Sequence, residues 1–235
     1  MTFGVNDCEK LEKIMADKGI EKVESIKYLG VVVDSKLKMN SQADNIVTKV
    51  TQSMNAMNVI KRHLPTFSLM QFYNAFIGSH LFCNSFLLCR MNDGDVKRLQ
   101  KIQNKALKTA FGLEMRFSTE RLFMEFAVNV LPVIGIACFN LLLLTKKHIL
   151  TASDEFEVIN EGRRIKQLKF PRFHRALLAN DLVCLGPKIY NQLPLELREI
   201  SSYNRYKLEL NTYLLKNKLC FLRGFTLNVN NIFNQ

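Results

Sequence analysis

Residues 26–37 read Ile-Lys-Tyr-Leu-Gly-Val-Val-Val-Asp-Ser-Lys-Leu, the one strongly β-favouring run in a chain whose other patterns are helical. Val, Ile and Tyr prefer an extended backbone because their side chains are stiff or bulky near Cβ. Gly30 marks a bend, a bulge or a close backbone approach, and Asp34 with Ser35 ends the run. On residue type this is an ordinary buried strand, and residues 20–25 are its candidate hairpin partner.

Length and charge narrow the class of protein. The chain has 235 residues, of which 48% are hydrophobic, enough for one large domain or two small ones. It carries 33 Lys and Arg against 21 Asp and Glu, a formal net charge of +12. Such a balance suits a polyanionic partner, either nucleic acid or an anionic membrane surface.

The cysteines and the N-terminus indicate an intracellular protein, nuclear or cytoplasmic. None of the six cysteines forms a Cys-x-x-Cys pair, and most lie in apolar runs. This pattern is typical of buried, reduced thiols, and it predicts neither disulfides nor a zinc site. The first residues have no cationic start and no long apolar segment, so no secretory signal is expected.

Helical periodicity covers most of the remaining chain. Apolar residues recur at helical spacing from Ser41 to about His63, from Thr66 or Ser68 to about Cys89, and from Pro132 to about Ile149. We therefore predict a mainly α, bundle-like fold of six or seven helices around one core, with a small N-terminal β element. The methionine stripe of the first long helix is expected to pack in this core.

The helix that follows Asn92 carries the functional signal. Val96, Leu99, Ile102, Ala106 and Ala110 fall on one side of it. Four lysines fall on the other side, with an arginine at their edge: Lys97, Lys101, Lys105, Lys108 and Arg98. Like charges four residues apart repel, so a lysine row without interleaved Glu is not optimised for helix stability. It suits contact with phosphates, although a solvated basic face has the same pattern.

A second basic stretch lies near residue 170. It combines cations with interleaved aromatics: Arg163, Arg164, Arg172, Arg175, Phe170 and Phe173. Charge and stacking together suit single-stranded nucleic acid. The Phe side chains equally suit anchors to the core, which is the interpretation that we favour for them.

Residues 122–144 raise the alternative of a membrane span. They contain a single charge, Glu125, and Lys146 and Lys147 follow them. Asn129, Pro132 and Asn140 interrupt the apolar run, and about 14 uninterrupted apolar residues are more typical of a core helix. We expect burial within the protein.

Four segments, in order, resemble reverse transcriptases of non-LTR (LINE-type, jockey-like) retrotransposons. They are Lys-Tyr-Leu-Gly-Val-x-x-Asp-Ser-x-Leu at 27–37, Phe-Tyr-Asn-Ala-Phe-Ile-x-Ser-x-Leu-Phe at 72–82, Leu-Gln-Lys-Ile-Gln-Asn-Lys-Ala-Leu-Lys at 99–108, and Leu-Gly-Pro-Lys-Ile-Tyr-Asn-Gln-Leu-Pro at 185–194. Tyr190 stands where the family has Trp, and Phe82 and Cys83 stand where it has Tyr and Gly.

The resemblance implies a place within that polymerase. The first segment follows the palm near the primer grip, so Tyr28, Leu29 and Gly30 are primer-grip-like, and a helical thumb-like region comes next. It implies that residues 1–38 are a palm-to-thumb β element, 39–150 a thumb-like domain, and 151–235 a basic linker with C-terminal helices. The parent activity is RNA-directed DNA polymerisation.

The sequence lacks the chemistry for that reaction. Nucleotide transfer needs two metal ions held by paired carboxylates, and no two aspartates are adjacent. No phosphate-binding glycine loop occurs either, so no cofactor or metal is expected. We predict a fragment that binds RNA, DNA or their hybrid and is inactive alone. The alternatives are a protein-interaction remnant that packed on a palm and, less favoured, a small membrane protein.

Overall fold

The computed structural model describes residues 15, 17–19, 23–34, 39–89, 91–151, 158–161, 165–169 and 182–223. The fold is mainly α, with a two-stranded antiparallel sheet near the N-terminus, which confirms the predicted class. A single hydrophobic cluster runs from Met39 to Leu222 and takes side chains from every long helix.

The N-terminal β element is a hairpin and not one strand. Strands β1 (Ser25–Tyr28) and β2 (Val31–Asp34) pair antiparallel, with Tyr28 opposite Val31. The turn residues Leu29 and Gly30 have φ of 47° and 83°, the double positive φ of a two-residue type I′ hairpin. Gly30 thus makes the predicted bend. The expectation of one buried strand was wrong, because the run folds back on itself and β1 is exposed. Of the predicted partner at 20–25, residues 20–22 lie outside the described residues.

Two helical stretches follow the hairpin. Helix α1 (Asn40–Ile60) buries Ile46, Val50, Met54 and Met57, so the methionine stripe lies in the core as predicted. Its N-cap is Met39 in the left-handed region, and no side chain caps it.

The second predicted helix is interrupted. It consists of α2 (Thr66–Phe72), a π-helical segment π1 (Tyr73–Gly78), α3 (Ser79–Cys83) and α4 (Ser85–Leu88). Asn84, with φ −96° and ψ 8°, separates α3 from α4. Its side chain donates to the His80 carbonyl at 2.7 Å, so it holds the last turn of α3.

Helix α5 (Asp93–Ala110) begins directly after Asn92, as predicted, and both of its ends are capped. The Asn92 side chain accepts from the Asp95 N–H at 2.9 Å, and this is an N-cap bond. Gly112 has φ 66° and lets the Leu113 N–H reach the Lys108 carbonyl at 2.8 Å. The chain then forms α6 (Thr119–Arg121) and a second π-helical turn, π2 (Leu122–Phe126).

Helix α7 (Val133–Leu150) is the centre of the core. It is buried on nearly every side, and it packs against α4, α5, α8, α10 and α11. Among the helices that the structure describes, it is the one long and apolar enough to cross a membrane, yet 67% of that span is buried within the protein. This is the burial expected of a core helix.

In the C-terminal part the sequence predicted helices, and the structure adds a β-hairpin that it did not predict. A hairpin of β3 (Val158–Glu161) and β4 (Ile165–Leu168) precedes α8 (Leu182–Asn191), α9 (Leu195–Arg198), α10 (Tyr203–Lys216) and α11 (Lys218–Arg223). Pro187 lies inside α8 and not at its start. Phe221 and Leu222 of α11 are buried in the core.

Two contacts on α7 hold these helices. The Lys146 Nζ donates to the Arg198 carbonyl at 2.7 Å and to the Tyr190 hydroxyl at 3.3 Å, and it lies 5.1 Å from the Tyr206 ring centroid. Beside Lys146, Thr145 lies so close to Gly186 of α8 that a Cβ at 186 would overlap the Thr145 Oγ1.

We expect Gly186→Ala to lower the free energy of unfolding by about 1–3 kcal/mol, the usual cost of overpacking. Thr145 cannot turn away freely, because its Oγ1 donates to the Leu141 carbonyl at 2.9 Å. Urea denaturation followed by circular dichroism measures the change. Adding Thr145→Ala removes the clashing oxygen, so the double variant should be less destabilised than the two single effects summed; strict additivity would contradict the contact.

Candidate nucleic-acid interface

The exposed flank of α5 carries the lysines that the sequence singled out. Lys97, Lys101 and Lys105 are all exposed and recur every four residues, while Val96, Leu99 and Ala106 are buried on the other side. Within the described part of the chain, neither Lys101 nor Lys105 has a hydrogen-bond or ion-pair partner. We call Lys97, Lys101 and Lys105 the basic flank.

Arg98, at the edge of the basic flank, is engaged by acids. Its Nη1 lies 2.8 Å from Asp44 Oδ1 of α1 and 3.0 Å from Asp95 Oδ1. Hydrogen bonds from these two carboxylates raise the pKa of the Arg98 guanidinium. Since two carboxylates surround one guanidinium, Arg98 adds no net positive charge here. It joins α1 to α5 instead, through partly exposed ion pairs of the kind worth at most about 1 kcal/mol each.

Lys108 does not share this surface, so the prediction of a phosphate contact for it requires correction. It is 7% exposed, and its Nζ donates to the Met115 carbonyl at 2.8 Å. The physical reason is the left-handed turn at Gly112, which sends residues 113–118 back over the last turns of α5. Helical periodicity places Lys108 beside the other lysines but gives no information about the loop that covers it.

The opposite side of α5 holds a network of side-chain amides. The Gln103 Nε2 donates to the Tyr73 hydroxyl at 3.0 Å and to the Leu131 carbonyl at 2.9 Å. The Gln100 Oε1 accepts from the Val133 N–H at 2.8 Å, and its Nε2 donates to Gln103 and Asn104. Burial raises the pKa of Tyr73 to about 12, against a smaller opposing effect of the Gln103 hydrogen bond.

This amide network gives a structural account of the Leu-Gln-x-Ile-Gln-Asn segment. The sequence alone indicated no role for Gln100 and Gln103, because glutamines on a helix are typical of ordinary surface positions. Their spacing beside the apolar residues, on the side away from the lysines, was the signal that could have found them. They tie α5 to π1 and to the start of α7.

The primer-grip-like residues lie at the tip of the N-terminal hairpin. Tyr28 is 67% exposed and Leu29 is 87% exposed, and Gly30 completes the turn. Gln42 of α1 anchors the hairpin, since its Oε1 accepts from the Val32 N–H at 2.8 Å and its Nε2 donates to Asn84 Oδ1 at 2.7 Å. The hairpin tip therefore projects into solvent from a fixed base.

The second basic stretch stays a prediction. Arg163, Arg164, Arg172 and Arg175, with Phe170 and Phe173, lie outside the described residues. The two strands that flank Arg163 and Arg164 are paired, with Glu161 opposite Ile165.

The described ranges contain no candidate metal centre, and Cys89 and Cys138 are buried. No group of three or more His, Cys, Asp and Glu that could hold a metal ion occurs among those residues. Burial raises the pKa of the Cys89 thiol to about 12 and that of the Cys138 thiol further. Both therefore stay protonated and poorly nucleophilic at neutral pH.

The comparisons add no relative. No protein-family model, curated protein or solved structure matches this chain. The resemblance to retrotransposon reverse transcriptases therefore stays a prediction that depends on the four sequence segments alone.

Lys101 and Lys108 lie on the same helix, and only Lys108 is expected to contribute to stability. We expect Lys108→Met to lower the free energy of unfolding by about 1–3 kcal/mol, because the Met115 carbonyl loses its buried donor. Lys101→Met should change it by less than about 0.5 kcal/mol, since Lys101 is exposed. Chemical denaturation of both variants gives the comparison, and equal stabilities would contradict the contact of Lys108 with the 113–118 loop.

Proposed function

We propose that this chain is a nucleic-acid-binding, post-palm part of a non-LTR retrotransposon reverse transcriptase, comprising its thumb-like and C-terminal regions, and that it does not polymerise DNA on its own. The observation that carries the proposal is the basic flank, an exposed row of lysines on one face of α5. The order of the four resembling segments supports the family, and the net charge of +12 supports a polyanionic partner.

The basic flank suits the sugar–phosphate backbone more than the bases. Its groups are ammonium ions on flexible stems, which neutralise phosphates without reading the sequence. No aromatic side chain of α5 lies between them, because the helix has none before Phe111. The proposal is therefore a salt-sensitive contact with an RNA–DNA hybrid, an RNA or a DNA, of low sequence preference.

Lys101→Glu combined with Lys105→Glu should weaken binding to an RNA–DNA hybrid at least tenfold. It should also reduce the dependence of log K on log salt concentration by about one for each lysine lost. Electrophoretic mobility shift across a salt series measures both quantities. Unchanged binding, or binding insensitive to salt, would contradict the proposal.

A matched control reverses two lysines elsewhere. Lys207 and Lys216 are exposed on α10, and changing both to Glu gives the same net charge as the α5 variant. The proposal requires this control to bind nearly as well as the unmodified chain. If both double variants weaken binding equally, the overall charge and not the basic flank governs it.

A second candidate function, packing against another polypeptide, is favoured by a different surface. Apolar side chains are exposed where the chain passes from α1 to α2: Val59 is 73% exposed, Leu64 is 40% exposed and Phe67 is 72% exposed. Apolar groups collected at one end of a pair of helices are typical of an interaction surface.

This candidate predicts self-association of the isolated chain. Light scattering after size-exclusion chromatography should show a mass that rises with concentration, and Val59→Ser with Phe67→Ser should return it to the monomer. Leu208→Ser on α10, which removes another exposed apolar side chain, is the control. A monomer at every concentration would count against the candidate.

A further inference from the structure

A cavity of about 420 Å³ opens beside π1, away from the basic flank. Its volume is within the range of small-molecule sites. Its lining comes from π1 and α3, from the loop before α7, from α7 itself and from α10. π-Helical turns of this kind are frequent at functional sites.

The walls of the cavity are apolar and fixed. Tyr73 and Ile136 are buried and contribute to it, with Phe139 and Leu131. The same Gln103 amide holds two of these walls, since it donates both to the Tyr73 hydroxyl and to the Leu131 carbonyl. Because these walls are already held in place, little conformational entropy is lost when a ligand binds.

Three side-chain amides line the same cavity: Asn74 from π1, Asn129 from the loop before α7, and Asn211 from α10. Among the described residues, none of the three has a hydrogen-bond partner. Each offers two N–H donors and one carbonyl acceptor. Three separate elements thus bring the same neutral group to one place, and of the residues that the structure describes no Lys, Arg, Asp or Glu lines the cavity.

We propose that this cavity binds a neutral heteroaromatic ring with donors and acceptors along its edge, which is the chemistry of a nucleobase. The aromatic and aliphatic walls take the faces of the ring, and the asparagine amides pair with its edge. A charged group entering here would lose water without gaining a counter-charge. A purely apolar ligand would displace water from the amides without hydrogen-bonding to them.

The site is separate from the basic flank. Gln103, which holds the cavity walls, is on the buried side of α5, whereas the lysines are on its exposed side. The proposal therefore does not depend on phosphate binding by α5. It applies equally to a free nucleoside and to an unpaired base within a strand.

Adenosine is the probe, and isothermal titration calorimetry is the measurement. We expect saturable binding that Asn129→Ala combined with Asn211→Ala weakens about tenfold or more, because each lost hydrogen bond costs about two- to tenfold. Asn55→Ala, on the exposed side of α1, is the matched control and should leave binding unchanged. Asn211→Trp should abolish binding by filling the cavity, and thermal melting shows that each variant is folded.

Cys83 supplies a second readout, because it lines the cavity and its side chain is exposed. Adenosine should slow iodoacetamide alkylation of Cys83, followed by peptide mass spectrometry, and should not do so in Asn211→Trp. Absence of adenosine binding at millimolar concentration, or equal affinity in the double alanine variant, overturns the proposal. So does saturable binding of ethylbenzene without binding of adenosine.

Two further measurements distinguish a base in a strand from a free nucleoside, and the cavity proposal from the basic-flank proposal. If the ligand is a base in a strand, oligoadenylate binds more tightly than adenosine and the double alanine variant weakens both. If it is a free nucleoside, adenosine binds and oligoadenylate does not compete with it. Lys101→Glu with Lys105→Glu should leave adenosine binding intact in either case, so failure of the basic flank would not be mistaken for failure of the cavity.

Discussion

The buried amide of Gln103 is the contact on which the arrangement of the central helices depends. It lies on the apolar side of α5, where an unpaired polar group would cost about 1–3 kcal/mol. Its two donors are satisfied only if π1 and the loop before α7 approach α5 in one register. Gln100 adds the same requirement at the first N–H of α7. Apolar packing alone would tolerate several registers, and these hydrogen bonds distinguish one of them.

The two sides of α5 therefore have different roles. Its buried side sets the position of the core helix α7 and the shape of the cavity beside π1. Its exposed side is left free of structural duties at Lys101 and Lys105, whereas Arg98 joins α1 and Lys108 closes the following loop. Substitutions at the exposed lysines of α5 are therefore expected to affect binding, whereas substitution of Lys108, which the 113–118 loop covers, is expected to affect stability.

Sequence reasoning predicted what local chemistry determines. The Asn92 cap, the Gly112 stop and the buried Met stripe of α1 follow from propensity and periodicity, and so does the mainly α class. The hairpin at Leu29 and Gly30 was missed, because an alternating β run does not show where a non-glycine residue will accept a positive φ. The burial of Lys108, the π-helical turns and the cavity amides depend on tertiary packing, so no local pattern indicates them.

Chemical modification of Lys146 reports the separation of the C-terminal helices from α7. Lys146 is 3% exposed, and its ammonium group contacts Tyr190, Tyr206 and the Arg198 carbonyl, all from the C-terminal helices. An amine-reactive reagent or an acetylating enzyme reaches this nitrogen only after those helices have moved off α7. The extent to which Lys146 is modified, relative to surface lysines such as Lys207, therefore measures how often the C-terminal helices separate from α7.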